Sequence, residues 1–224
     1  MRVLLFDIDG TLVRTGGAGK VAMEAALCEE FGVTLAAEEI PYSGRTDVAI
    51  GSDLLAAHRV EPSATNLGRL LDGYLARLPA ALAAVRGTIC PGVTDLLPPL
   101  KTRSDVLLGL LTGNVRAGAM RKLGHYGLWD FFAAGGFGDE HADRDDVARA
   151  AVRSVERHLG RAVHPADVWV IGDTPLDVKC ARAIGATAVA VATGWTGFDE
   201  LAASGADYTF HDLSDPRELL AAWA

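Results

Sequence analysis

Short uninterrupted apolar runs punctuate this chain: Val3 to Phe6, Val106 to Leu111, Val168 to Ile171 and Thr187 to Ala192. Runs of that length without polar alternation read as strands buried on both faces. Phe131 to Ala134 is a weaker candidate strand, and Tyr208 to Phe210 a short last one. Between the runs the spacing is helical. Helices are expected over Val93 to Lys101, after Asn114 to about Gly124, and from Asp145 to about His158, where Val147, Ala151, Val155 and Leu159 share one face. Another starts at Pro175, a residue well suited to a first helical turn, and a closing helix is expected over Asp215 to Trp223.

Residues 15–86 interrupt this alternation. Ala18 to Phe31 is helix-forming, with Gly32 as its stop. A polar loop from Pro41 to Asp47 follows, in which Thr46 or Asp47 caps a helix running to about His58. Leu67, Leu70, Leu71, Tyr74, Leu75 and Leu78 then mark the apolar face of a third helix. No strand is expected in this stretch. Strands alternating with helices imply parallel pairing. The expected fold is therefore α/β: a Rossmann-like doubly wound parallel sheet, discontinuous over 1–14 and 87–224, with a small all-helical unit inserted over 15–86.

Composition narrows the function classes. Half of the 224 residues are hydrophobic, enough for a sizeable core, and the net charge is -8. Without a basic tract or interleaved aromatic and basic residues, nucleic acid is not an expected partner. The first apolar run is broken by Asp7, so neither a leader nor a membrane span is expected there. Cys28, Cys90 and Cys180 are widely spaced and odd in number, which suits a reducing cytoplasm better than a disulfide framework.

The polar residues that end the strands carry the candidate chemistry. In Phe6-Asp7-Ile8-Asp9-Gly10-Thr11, two carboxylates two residues apart project to one side of an extended chain. Such a pair repels itself unless a cation neutralises it, and Mg2+ takes oxygen ligands beside phosphate. Thr112 ends the second run, and Gly113 and Asn114 precede a helix, so their own backbone N–H groups suit an anion. Asp173 ends a further strand, with Asp177 one helical turn beyond. Ligands of such sheets bind outside the carboxyl ends of the strands. Gly16-Gly17-Ala18-Gly19-Lys20 is not a phosphate loop: Arg14 stands where the early glycine belongs, and Val21 where Ser or Thr would bind the metal.

Asp-Ile-Asp-Gly-Thr, Leu-Leu-Thr-Gly-Asn and Gly-Asp-Thr-Pro-Leu-Asp, in that order, resemble the signatures of the haloacid dehalogenase superfamily, and most closely its phosphoglycolate-phosphatase-like branch with a helical cap. The resemblance implies Asp7 as nucleophile and Asp9 as general acid and base, with Asp7, Asp9 and Asp173 around Mg2+ and Asp177 in support. It implies that Thr112, with Gly113 and Asn114, holds the phosphoryl group. The family's usual basic residue is a lysine; here no Lys-Pro occurs in the interval, and Arg144 in Ala-Asp-Arg-Asp-Asp takes the place. Residues 15–86 become the cap, in which Arg45 of Gly-Arg-Thr-Asp meets a carboxylate or second phosphate of the substrate.

The implied activity is Mg2+-dependent hydrolysis of small phosphorylated metabolites through a phospho-aspartate, by a cytoplasmic monomer or homodimer. A sugar phosphomutase of the same fold, a haloacid dehalogenase and a non-catalytic phosphometabolite-binding protein remain open. The second carboxylate, Asp9, speaks against the dehalogenase, which has no need of it.

Overall fold

The computed structural model describes residues 1–35 and 40–221. In chain order its elements are β1 (Arg2–Phe6), β2 (Val13–Arg14), α1 (Ala18–Phe31), α2 (Asp47–Ala57), α3 (Ala64–Ala84), β3 (Thr88–Ile89), α4 (Val93–Lys101), β4 (Val106–Leu111), α5 (Arg116–His125), β5 (Ala134–Gly136), α6 (Arg144–Leu159), β6 (Val168–Gly172), α7 (Pro175–Ala183), β7 (Thr187–Val191), α8 (Phe198–Ala203), β8 (Tyr208–Phe210) and α9 (Pro216–Ala221).

Six strands form one parallel sheet in the order β5-β4-β1-β6-β7-β8. The order reverses at β1, which has β4 on one side and β6 on the other. The two connections therefore leave opposite edges of β1 and open a crevice at its carboxyl end. Side chains alternate across the sheet as its pleat requires. Leu4, Phe6, Leu108, Leu110 and Ile171 pack with Leu96, Leu97 and Leu100 of α4 and Leu123 of α5. Val3, Leu5, Val168 and Val170 pack with Val147, Ala151 and Val155 of α6 and Val178 of α7. The fold is thus the doubly wound sheet read from the apolar runs. Gly109 belongs to its register: it pairs with Leu5, and an added Cβ would come within 2.9 Å of Leu5 Cδ2.

Helices α1, α2 and α3 build a separate cluster from Met23, Leu27, Ile50, Leu54, Leu70, Tyr74 and Leu78. Each such side chain contributes about 1.5–3 kcal/mol on burial, so these helices hold together largely through one another. Among the described residues, Val115, just before α5, enters this cluster from outside the inserted stretch. The ends of the stretch are tied by the antiparallel pair β2–β3, with Arg14 opposite Thr88.

Local details differ from expectation. Trp129–Phe131 is a 3-10 turn, and the strand lies at Ala134–Gly136. The phenylalanines misled because Phe131 and Phe132 pack against the sheet's helical cover. The strand itself is written in glycine, since a Cβ on Gly136 would run into the Val147 carbonyl of α6. Helix α8 and the pair β2–β3 were not expected; six- and two-residue elements carry too little periodicity to be read. The closing helix is described from Pro216 to Ala221, and the expected end at Trp223 lies outside the described residues. No helix among the described residues is long and apolar enough to cross a membrane.

Candidate active site

The carboxyl ends of β1, β4 and β6 bring Asp7, Thr112 and Asp173 to one crevice. Asp7 directly follows β1, and its backbone N–H donates to the Ile171 carbonyl at 2.9 Å, carrying the strand pairing one residue further. The chain then turns at Gly10, which has a φ of 89°. That angle excludes most side chains, and the space does too, because a Cβ there would run into the carboxylate of Asp173. Thr11 Oγ1 donates to Asp173 Oδ1 at 2.9 Å, and Thr193 Oγ1 donates to the Gly10 carbonyl at 2.6 Å.

Asp7, Asp173 and Asp177 are buried, and each offers a carboxylate oxygen within 4.8 Å of the others. Burial pushes Asp7 up to about 6, against the pull of Arg144 and with the help of Asp177 and Asp9. Burial and the charges of Asp177 and Asp7 raise Asp173 well above the carboxylate range. Three buried acids against one guanidinium leave an excess of negative charge that a low-dielectric site does not tolerate alone. The oxygen donor set therefore fits a hard divalent cation.

Arg144, the first residue of α6, lies among these acids. Its Nη2 is 3.0 Å from Asp7 Oδ1 and also donates to Asp177 Oδ1, while Nη1 donates to the Gly44 carbonyl at 3.0 Å. The other oxygen of Asp177 accepts from the Thr174 N–H at 3.0 Å and from Thr174 Oγ1 at 2.8 Å. Asp177 thus closes the N-terminus of α7 and orients the arginine. The planar fork lets Arg144 serve two carboxylates through Nη2 and a carbonyl through Nη1 at once.

Asp9 stands apart from the three-acid group. Its Oδ2 accepts from Lys122 Nζ at 2.6 Å and from Asn114 Nδ2 at 2.9 Å, and its Oδ1 from Thr15 Oγ1 at 3.4 Å. Burial alone would raise its pKa, but Lys122, Asn114 and Thr15 outweigh that and hold it below the usual range. The oxygens that converge are therefore those of Asp7, Asp173 and Asp177, whereas the expected metal set was Asp7, Asp9 and Asp173.

Lys122 was missed in the sequence, although a signal was present. Val115, Ala119 and Leu123 form the buried stripe around α5, and Lys122 falls on it where an apolar residue belongs. Lys122 is buried, and the charge of Asp9 overcomes the cost of burial and raises its pKa.

Thr112 is fully buried, and its Oγ1 accepts from the Asn114 N–H at 3.3 Å and from Asn114 Nδ2 at 2.8 Å. The backbone donors that open α5 are taken by side chains: Val115 N–H by Asp47 Oδ2 and Arg116 N–H by Asp139 Oδ2, both at 2.9 Å. Arg45 faces the same cavity, but its Nη2 pairs with Asp53 at 2.6 Å and its Nη1 donates to the Pro41 carbonyl at 3.1 Å. The cavity, about 1080 Å3, runs from Asp7 and Asp9 past Thr112 and Lys122 to Arg45 and Tyr42.

Known proteins resemble this chain in sequence and in fold. A family model described as haloacid dehalogenase-like hydrolase matches residues 4–182. The phosphoglycolate phosphatase of Synechococcus elongatus is 31% identical over 96% of this chain and 95% of its own. Protein CbbY of Rhodobacter capsulatus is 25% identical over 96% of this chain and 94% of its own. Among solved structures, CbbY from Rhodobacter sphaeroides in complex with phosphate superposes with a TM-score of 0.77 at 20% identity, covering 96% of each chain.

Proposed function

This chain belongs to the haloacid dehalogenase-like hydrolases and is an enzyme, and on that premise we propose that it hydrolyses phosphate monoesters of small metabolites with Mg2+ through a phospho-aspartate. The observation that carries this reading is the meeting of Asp7, Asp9, Thr112 and Arg144 on one cavity, with Asp173 beside Asp7 at the same end of the sheet.

Asp7 attacks phosphorus, forming an acyl phosphate as the bond to the leaving oxygen breaks. Arg144 keeps the Asp7 carboxylate oriented and supplies positive charge where the phosphoryl oxygens gather. Thr112 and Asn114 orient the phosphoryl group. Asp7 and Asp173 would hold Mg2+, with Asp177 behind them, and the ion would supply charge stabilisation at the phosphoryl oxygens. Asp9 rests ionised against Lys122. The proton for the leaving oxygen then arrives with a singly protonated phosphate, whose second pKa is about 6, and passes by way of Asp9. In the second half Asp9, again a carboxylate, takes a proton from the water that attacks phospho-Asp7; it returns that proton to the departing inorganic phosphate and is ionised once more. The helices over 15–86 cover the crevice and act as a lid.

Phosphoglycolate is a candidate substrate on the strength of the Synechococcus relative's name. A substrate carboxylate at Arg45 would share that guanidinium with Asp53. The test is phosphate release from phosphoglycolate, sugar phosphates and nucleoside monophosphates, with Mg2+ and with EDTA. Wild type should release phosphate only with the metal, and Asp7→Asn should lose at least ~10^3-fold in kcat. Activity in EDTA, or an Asp7→Asn variant near wild type, would overturn the scheme. Conversion of a sugar phosphate to its isomer without release would turn the reading to a mutase.

A further inference from the structure

The loop from Gly44 to Asp47 joins the inserted helices to the sheet's own loops through contacts that phosphate chemistry does not require. The Asp47 N–H donates to the Gly113 carbonyl at 2.8 Å, and Asp47 Oδ2 accepts from the Val115 N–H at 2.9 Å. Thr46 Oγ1 donates to the Ala142 carbonyl at 3.1 Å, and the Gly44 carbonyl accepts from Arg144. The fit is close, since a Cβ on Gly113 would run into the Arg45 carbonyl. The Val115 side chain enters the cluster of α1, α2 and α3, so backbone and side chain of one residue are both held by the inserted stretch.

Val115 is the residue from which α5 starts. Two turns later the same helix carries Lys122, whose ammonium reaches Asp9. A rigid helix transmits a shift at its first turn to its later side chains. We propose that Asp47 is a positioning residue: by capping α5 from the inserted stretch, it sets where Lys122 meets Asp9 and makes the docked lid a condition for the acid–base step. An asparagine can accept the same N–H through its amide oxygen, whereas alanine cannot. The kinetic part of the proposal rests on the phosphatase reading above; the structural part does not.

The experiment compares the full chain with Asp47→Ala, Asp47→Asn and Asp47→Ser. The Val115 amide is followed by hydrogen exchange, and kcat and KM are measured with Mg2+ and the best phosphate ester. In Asp47→Ala the Val115 amide should exchange at least ~10-fold faster, with kcat down ~10- to 100-fold and KM changed less than ~3-fold. Asp47→Asn should stay within ~5-fold of wild type on both counts. Asp47→Ser, whose hydroxyl stops short of Val115, should follow alanine and carries the comparison should the alanine variant misfold. Unchanged Val115 exchange in the alanine and serine variants overturns the cap. A kcat that does not move while exchange rises, or an asparagine variant as slow as alanine, overturns the positioning role. If wild type releases no phosphate, the phosphatase reading fails while the exchange comparison still decides the cap.

Discussion

Lys122 and Arg144 pair with different acids of the crevice, one with Asp9 and one with Asp7 and Asp177. The division has a measurable consequence. Lys122 holds Asp9 below the usual carboxylate range, so replacing it by methionine should let that pKa rise. In Lys122→Met the acidic limb of the kcat/KM profile should move to higher pH, with kcat down ~10- to 100-fold at neutrality. A profile that stays in place would separate Lys122 from the acid–base step. Gly10 makes a second prediction at this scale. Gly10→Ala adds both a strained φ and a clash with Asp173, so thermal or denaturant unfolding should show a loss of about 1–3 kcal/mol or more. Unchanged stability would mean that the turn relaxes freely.

At the scale of elements, most of the architecture was legible because buried parallel strands and amphipathic helices carry strong periodicity. α4 runs from Val93 to Lys101, Gly32 ends α1 with a φ of 64°, and Thr46 caps α2 through the Ala49 N–H, all as the residues suggest. What was not legible depends on partners distant in sequence. β5 is glycine-rich because α6 lies against it, and the donors opening α5 are occupied because Asp47 and Asp139 reach them from other segments. The strand-end acids could be read from local order alone. The pairing of Asp9 with Lys122 could not, since the lysine lies 113 positions away.

For the whole molecule, the concentration of acid at one end of the sheet links stability to pH and metal. Asp7 keeps its proton up to about pH 6 in the folded chain, above its unfolded value. The folded state therefore binds more protons between about pH 4 and 6, and stability falls as pH rises through that window. Above it, ionised Asp7 costs the metal-free protein about 1–3 kcal/mol. Asp7→Asn removes that cost. In EDTA the variant should melt above wild type at pH 8, and the two should converge near pH 4. Adding Mg2+ at pH 8 should raise the wild-type Tm more than the variant's. Equal melting in EDTA at pH 8 would show that Arg144 already compensates the burial of Asp7.

The two-residue ladder between Val13–Arg14 and Thr88–Ile89 has a consequence for descent as well as for catalysis. Because Arg14 and Thr88 face each other across it, the chain leaves the sheet and returns at nearly the same point, about 5 Å apart as cross-strand neighbours are. Everything between can be lengthened, replaced by another module or cut back to a tight hairpin turn without altering the register of a single sheet strand. The stem is thus a socket for the inserted stretch, and because Asp47 of that stretch reaches the Val115 N–H, a change of what the socket holds is also a change at the first turn of α5.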